Sequence, residues 1–298
     1  MAATTERPAR WYTTRDAFKE IAFGSTTITD KDARIDRLIA RASAWIERFT
    51  GRHFIPTIAT KEYDFQQTVQ LYFDDDLISL TTLKYETTTI AASDYFLYPL
   101  NAADEGKPYL WVELLYTDAL FSYSDTRQSA LTVIGKWGYS EITYLRTTVD
   151  ETYSASDTTL TVASATGIEV GATLLIESEQ LFVSNVSALS LTVVRAMNGT
   201  TAASHASGTS IYLMTAPEDV KMACELVVGK WLHRLDAALI DTVGASEGGF
   251  RITASSVDKE AIQLLRPYRR MMKRPPRYMG ARSSFGRWPY NRGMRLDE

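Results

Sequence analysis

Apolar residues recur with two different periods along this chain, and the change of period divides it. Between Asp30 and Phe49, Ile35, Leu38, Ile39, Ala42, Ile46 and Phe49 fall three, four and seven apart, the spacing of one buried helix face. Thr29 or Asp30 is placed to cap that helix, and Thr50-Gly51 to stop it. Ahead of it, Thr13 or Thr14 caps a shorter helix running to about Ala22. From Thr60 to Trp137 the pattern shortens to strand-like runs separated by turn residues. "KEYDFQQTVQLYF" reads as a hairpin and "DDDLISLTTLKYE" as a turn entering a strand. "DYFLYPLN", "PYLWVELLY" and "SALTVIGKWGY" read as further strands.

A third texture runs from about Arg146 to Met214, rich in Thr, Ser, Ala and Val. Its runs "TTLTVASATG", "GATLLIESEQLFVSNV", "LSLTVVRAMNGT" and "GTSIYLM" predict a small all-β module. Gly167, Gly171, Gly199 and Gly208 supply its turns. Helix returns at "TAPEDVKMACELVVGKWLHRLDAAL". There Thr215 and Glu218 have capping-box spacing and Pro217 suits a first turn. Val220, Ala223, Cys224, Val227, Trp231, Leu235 and Leu239 share a face. A last helix, about Ser256 to Arg266, buries Ala261, Leu264 and Leu265 before Pro267 ends it.

The chain has 298 residues, 45% of them hydrophobic, enough for one large domain or two ordinary ones. Its net charge of −4 conceals a split. From Arg266 onward ten Arg or Lys face only Asp297 and Glu298, a net +8, and the preceding residues carry −12. The segment "KRPPRYMGARSSFGRWPYNRGMR" is too rich in Pro and Gly for a helix and too aromatic for an ordinary tail. It reads as an arm that docks on an acidic surface.

Candidate chemistry changes this picture little. Cys224 is the only cysteine and reads as a small core residue, so neither an intramolecular disulfide nor a multi-Cys zinc site is expected. Trp45, Trp137 and Trp231 read as core. His53, His205 and His233 sit in three unrelated segments, with no nucleophile elbow, phosphate loop or metal-ligand pair around them. Asp74, Asp75 and Asp76 form the one carboxylate cluster and read as a solvated turn, since a calcium loop needs ligands at alternate positions and usually a glycine. The Asn198-Gly199-Thr200 sequon carries no weight without a secretory signal, and "MAATTERPARWYTTRDAF" has no apolar run of that kind. No window approaches the ~18 apolar residues of a membrane span. An enzyme, a cofactor or a membrane partner is therefore not expected, and assembly in a cytosol is.

Several segments together resemble a known family. "YTTRDAF", "RIDRLIARASAWIERFTGRHFIP", "DLISLTTL", "YFLYPLN", "PYLWVEL" and "VIGKWGYS", then "APEDVKMACELVVGKWLHR" and "AIQLLRPYRR", resemble in order the head–tail connector (adaptor) proteins of tailed bacteriophages. The resemblance covers about residues 12–144 and 212–272, and "ASAWIERFTGRHF" and "KWGY" are its most specific pieces. It implies an α+β fold, a helical bundle with β-hairpin elements. On this reading residues 1–145 and 212–272 form a discontinuous adaptor core, 146–211 an inserted all-β module and 273–298 an extended C-terminal arm. It further implies a neck protein forming a homo-oligomeric ring of twelve copies beneath the portal protein. A stopper or tail-completion protein would sit below, and genome DNA would pass through the channel without sequence recognition. The arm would grip the portal, with Arg269, Arg270, Lys273, Arg274, Arg277, Arg282, Arg287 and Arg292 pairing with carboxylates. Tyr278, Phe285, Trp288 and Tyr290 would anchor it. Two other readings compete: a head-closure ring further down, and a DNA-binding packaging factor. With eight phosphate contacts, the latter would show a log–log salt slope of about −7.

Overall fold

The computed structural model describes residues 10–65, 68–115, 127–239 and 259–270. Helices α1 (Arg15–Phe23) and α2 (Asp32–Thr50) come first. They are followed by β1 (Thr57–Tyr63), β2 (Gln70–Tyr85), β3 (Thr88–Thr89), β4 (Tyr95–Tyr98), β5 (Tyr109–Leu114) and β6 (Leu131–Trp137). A second series comprises β7 (Ile142–Thr148), β8 (Thr159–Thr161), β9 (Thr173–Ile176), β10 (Glu179–Ser187), β11 (Ser190–Val194) and β12 (Ser210–Thr215). Helices α3 (Glu218–Leu239) and α4 (Lys259–Leu265) close the described chain.

The strands form two antiparallel sheets of six strands each, and the described residues hold only four α-helices. This corrects the expected helical bundle with β-hairpin elements: the protein is mostly β. The expectation overweighted α2 and α3 because their apolar stripes are long, unbroken and local. The strands are short or bulged, and their stabilising partners lie far away in sequence.

The first sheet has the order β1-β6-β2-β5-β4, with β3 on β2. Strand β6 lies between β1 and β2, with Thr57 and Leu77 both opposite Trp137 and Tyr63 opposite Leu131. The hairpin expected from "KEYDFQQTVQLYF" therefore does not form. Register shifts between Tyr72 and Leu77, and again near Ser79 and Thr82, let β2 bend while pairing with both neighbours. One face buries Phe73, Leu77, Val112, Val133 and Trp137. Tyr98, Trp111 and Tyr72 stack across three strands, with centroids 5.3 and 5.6 Å apart.

The second sheet has the order β7-β12-β9-β10-β11-β8 and a mainly aliphatic core of Leu160, Leu174, Ile176, Leu181, Val183 and Leu191. It meets the rest of the chain at two glycines. A Cβ on Gly171 would lie 2.1 Å from the Trp11 ring, and one on Gly199 would lie 2.0 Å from the Ile58 carbonyl oxygen. Only glycine admits such approaches. Gln180 Nε2 also donates to the Pro56 carbonyl at 3.0 Å, and Trp11 stands edge-on to Phe182.

The helices share one core. Ile35, Leu38, Ile39, Ala42 and Ile46 of α2 meet Val220, Ala223, Cys224 and Val227 of α3. The stripe of α3 then turns: Val228 and Leu232 are buried, whereas Leu235 is 42% exposed. Thr14 caps α1 by accepting from the Ala17 N–H, and Gly51 ends α2 at φ +67°. Two expected caps differ. Lys31 occupies the N-cap of α2 without a side-chain bond. Thr215 closes β12, and its hydroxyl donates to the Ala216 carbonyl at 3.1 Å.

Candidate interaction site

Helix α4 seats Ala261 and Leu265 in the helical core, and a 3-10 turn, Arg266–Tyr268, carries the chain outward. Tyr268 stands edge-on to Phe54 (5.6 Å) and Tyr139 (5.3 Å), and its hydroxyl donates to Asp219 Oδ2 at 3.2 Å. Burial pushes this phenol up to about 12. The Arg269 guanidinium lies over the Phe49 ring, 6.0 Å from its centre. The Arg270 N–H donates to the Thr50 carbonyl at 2.7 Å. Its guanidinium donates to the carbonyls of Phe73, at 2.8 Å, and Asp74. The last described residues are thus held at several points, forming a fixed root for the segment that follows.

The receptor for that root is the aspartate run. Asp74, Asp75 and Asp76 lie within β2, and Asp76 is fully buried, so the run is not a solvated turn. Asp76 Oδ2 accepts from Arg52 Nη1, and Arg270 Nη1 lies 3.9 Å from its Oδ1. Burial raises the Asp76 carboxyl above its ordinary range, with Arg52 and Arg270 pulling the other way. Its Oδ1, like Arg52 Nε, is buried without a hydrogen-bond partner. Asp75 takes Lys61 Nζ at 3.2 Å, and His53 Nδ1 lies 3.5 Å away. Burial lowers the His53 pKa, and the neutral ring turns Nε2 to the Trp137 carbonyl at 3.0 Å.

Of the residues expected to bind a partner, Arg269 and Arg270 are placed here, on the protein's own body. Lys273, Arg274, Arg277, Tyr278, Arg282, Phe285, Arg287, Trp288, Tyr290 and Arg292 lie outside the described residues. Sequence reasoning missed the aspartate receptor, since nothing near Asp76 announces an arginine almost two hundred positions away. The one local hint was three carboxylates inside an apolar strand pattern.

A second ion cluster lies in the module. Fully buried Glu179 accepts from Arg195 Nε and His205 Nε2, both at 2.9 Å, and from the N–H groups of Ala203 and Ala196. His205 Nδ1 faces Glu177 Oε2 at 2.9 Å, and Arg195 covers the Tyr153 ring at 4.2 Å. Its Glu, Arg and His are committed to one another and to backbone, which suits a scaffold. Cys224 is buried, and desolvation pushes its thiol up to about 12, so it holds no reactive thiolate. Among the described residues, no group of three or more His, Cys, Asp or Glu is arranged to hold a metal ion. None of the described helices is long and apolar enough to cross a membrane.

The fold and site define a two-sheet β protein with a helical layer, from which a basic aromatic segment leaves a fixed root. No protein-family model matches the chain, and comparison with curated proteins finds no match.

Proposed function

We propose that this chain is a structural protein of the phage neck, in which copies assemble as a ring, twelve in number, on the portal and the C-terminal arm makes the attachment. The observation that carries this reading is the fixed root at Tyr268–Arg270 immediately before a segment rich in Arg and aromatics. A fixed root reduces the freedom lost when the arm binds. Arg and aromatic anchors dominate interface energetics, at about 2 kcal/mol or more for each buried anchor. Arms on every ring subunit then add by avidity. The ordered run of adaptor-like segments supports the same reading. On this reading the ring joins the DNA-filled head to the tail or the next neck ring.

Deleting residues 274–298 should abolish attachment to portal-bearing heads, read by sedimentation of heads with the purified chain. Attachment that survives the deletion would remove the arm from this role. Antibody label confined to the neck in electron micrographs of finished particles is the expected companion result. Label elsewhere would overturn the neck reading itself.

A further inference from the structure

The first sheet ends in β1 and β4, the second in β7 and β8. The edge of β1 is roofed by the module, whose Gly199 lies against the Ile58 carbonyl, and β8 is three residues long. The other two edges are open among the described residues. Strand β7 pairs with β12 alone until Thr148, whose carbonyl accepts from the Ala163 N–H at 3.0 Å. A bulge at Arg146 closes its straight run and leaves residues 142–145 bare. Strand β4 pairs with β5 alone over Tyr95–Tyr98, and Pro99 follows. Both edges expose large apolar side chains: Tyr144 (51%) and Leu145 (61%) on β7, Phe96 (48%) on β4. Edges of this kind are templates for a further strand.

The ladders show which backbone groups are free. Antiparallel partners alternate between pairs that exchange hydrogen bonds and pairs that do not. The Leu115 N–H donates to the Asp94 carbonyl at 2.8 Å. By alternation Phe96 and Tyr98 bond to β5, so the N–H and C=O of Tyr95 and Leu97 point outward. On the second sheet the Val149 N–H donates to the Thr209 carbonyl at 2.9 Å. By the same alternation Ile211, Leu213 and Thr215 bond to β7, at Thr147, Tyr144 and Ile142, and Thr143 and Leu145 point outward. Among the described residues nothing bonds to these four outward backbones.

We infer that β7 of one copy pairs antiparallel with β4 of a second copy, head to tail, with Leu145 opposite Tyr95 and Thr143 opposite Leu97. In that register every outward N–H meets an outward carbonyl. Tyr144 then faces Phe96 in the closer, non-bonded kind of pair, where aromatic side chains stabilise each other. Arg146 falls opposite Asp94. Among the described residues Arg146 has no ion pair, and its exposed guanidinium rests beside Gly167, free to turn. Asp94 takes the Ser93 hydroxyl at 2.9 Å and no cation. The nearby Glu141 and Glu105 are already held by Lys136 and Lys107. Charge also selects this pairing over a two-fold one. Two β7 strands can pair about Tyr144, and two β4 strands about Phe96, but Arg146 then faces Ile142 and Asp94 faces Tyr98. Within one copy β2 and β5 separate β4 from β6, the strand that leads into β7, by ~14 Å of sheet, so the two edges meet between copies. A head-to-tail contact repeats from copy to copy and builds a ring or a filament. The inference goes beyond the neck reading and stands without it.

The test is oxidative cross-linking of the full-length chain carrying added cysteines. Cys224 is buried with its thiol pushed up to about 12 and does not compete. The Cα atoms of a non-bonded pair lie ~4.5 Å apart, within the span of a disulfide. Tyr144→Cys mixed with Phe96→Cys should give a linked dimer, and the double variant a ladder of higher species. Neither single variant should link to itself, and Tyr144→Cys with Leu97→Cys, on opposite faces, should stay unlinked. Arg146→Asp should weaken association about tenfold in sedimentation, and adding Asp94→Arg should restore it. No linked dimer from the mixture at the highest soluble concentration, or a charge reversal that the second change does not restore, overturns the contact. Dimers of either single variant also overturn it, assigning the edges to a two-fold pair. Antibody label at the neck is a separate readout, so the edge contact and the neck reading fail independently.

Discussion

Each sheet buries a carboxylate, and the two are supplied differently. Burial works against the Glu179 charge, but hydrogen bonds from Arg195, His205 and the Ala203 N–H more than offset it, so its pKa falls below the ordinary value. For Asp76 burial wins: the pKa rises, and Oδ1 has no hydrogen-bond partner. A saturated network fixes its own surroundings, as the Glu179 cluster does in clamping Arg195, Ala203 and His205 to β10. An undersupplied one depends on whatever segment brings the missing charge. At Asp76 Arg52 brings the first charge by a hydrogen bond, and the C-terminal root adds a second through Arg270, 3.9 Å away. The same chemistry thus builds a rigid module in one sheet and an attachment point in the other.

The largest expected effect breaks the saturated side. Glu179→Ala strands Arg195 and His205 and should cost about 3–5 kcal/mol, read from the urea midpoint. A loss under about 1 kcal/mol would mean that the cluster does not hold the module. On the undersupplied side, Arg270→Ala removes charge-assisted bonds to two carbonyls and should cost about 1.5–3 kcal/mol. Amide exchange should accelerate around Thr50–Arg52 and Phe73–Asp76 while β10 stays protected. Equal acceleration in both sheets would contradict separate roles for the two clusters.

Acid should produce the smallest effect and sharpen the contrast by its sign. Glu179 has a lowered pKa, so its stabilisation is complete above its ordinary 4.5 and is lost as pH falls through the folded value. Asp76 has a raised pKa, so its burial cost is present above the folded value and relaxes as pH falls towards 3.8. Taken from neutral pH to below the carboxylate range, β10 should lose amide protection relative to β2. The reverse order would show that the two carboxylates are misassigned.

Legibility followed locality. The stripe of α2, the cap of α1 by Thr14 and the stop at Gly51 all depend on residues a few positions apart, and the sequence announced each of them. The strands "DYFLYPLN", "PYLWVELLY" and "SALTVIGKWGY" were legible as segments, but not their neighbours. A period-two pattern says that one face is buried and leaves the adjacent strand open. That is why β6 between β1 and β2 was missed, and why local helix signals were extended into a bundle. Even α3 kept its stripe only through Trp231, which packs half-buried on the core, while packing also took Val228 and Leu232 and left Leu235 exposed.

By itself the sequence determined the helix faces, the positive-φ glycines of the β module and the separation of a basic arm from an acidic body. These follow from residue type and short spacing. Tertiary structure alone decided the order of both sheets, the close approaches at Gly171 and Gly199, and the seating of Arg270 on the Phe73 and Asp74 carbonyls beside Asp75 and Asp76. Strand pairing and buried ion pairs join residues far apart in the chain, and their energies depend on a geometry that no local pattern encodes.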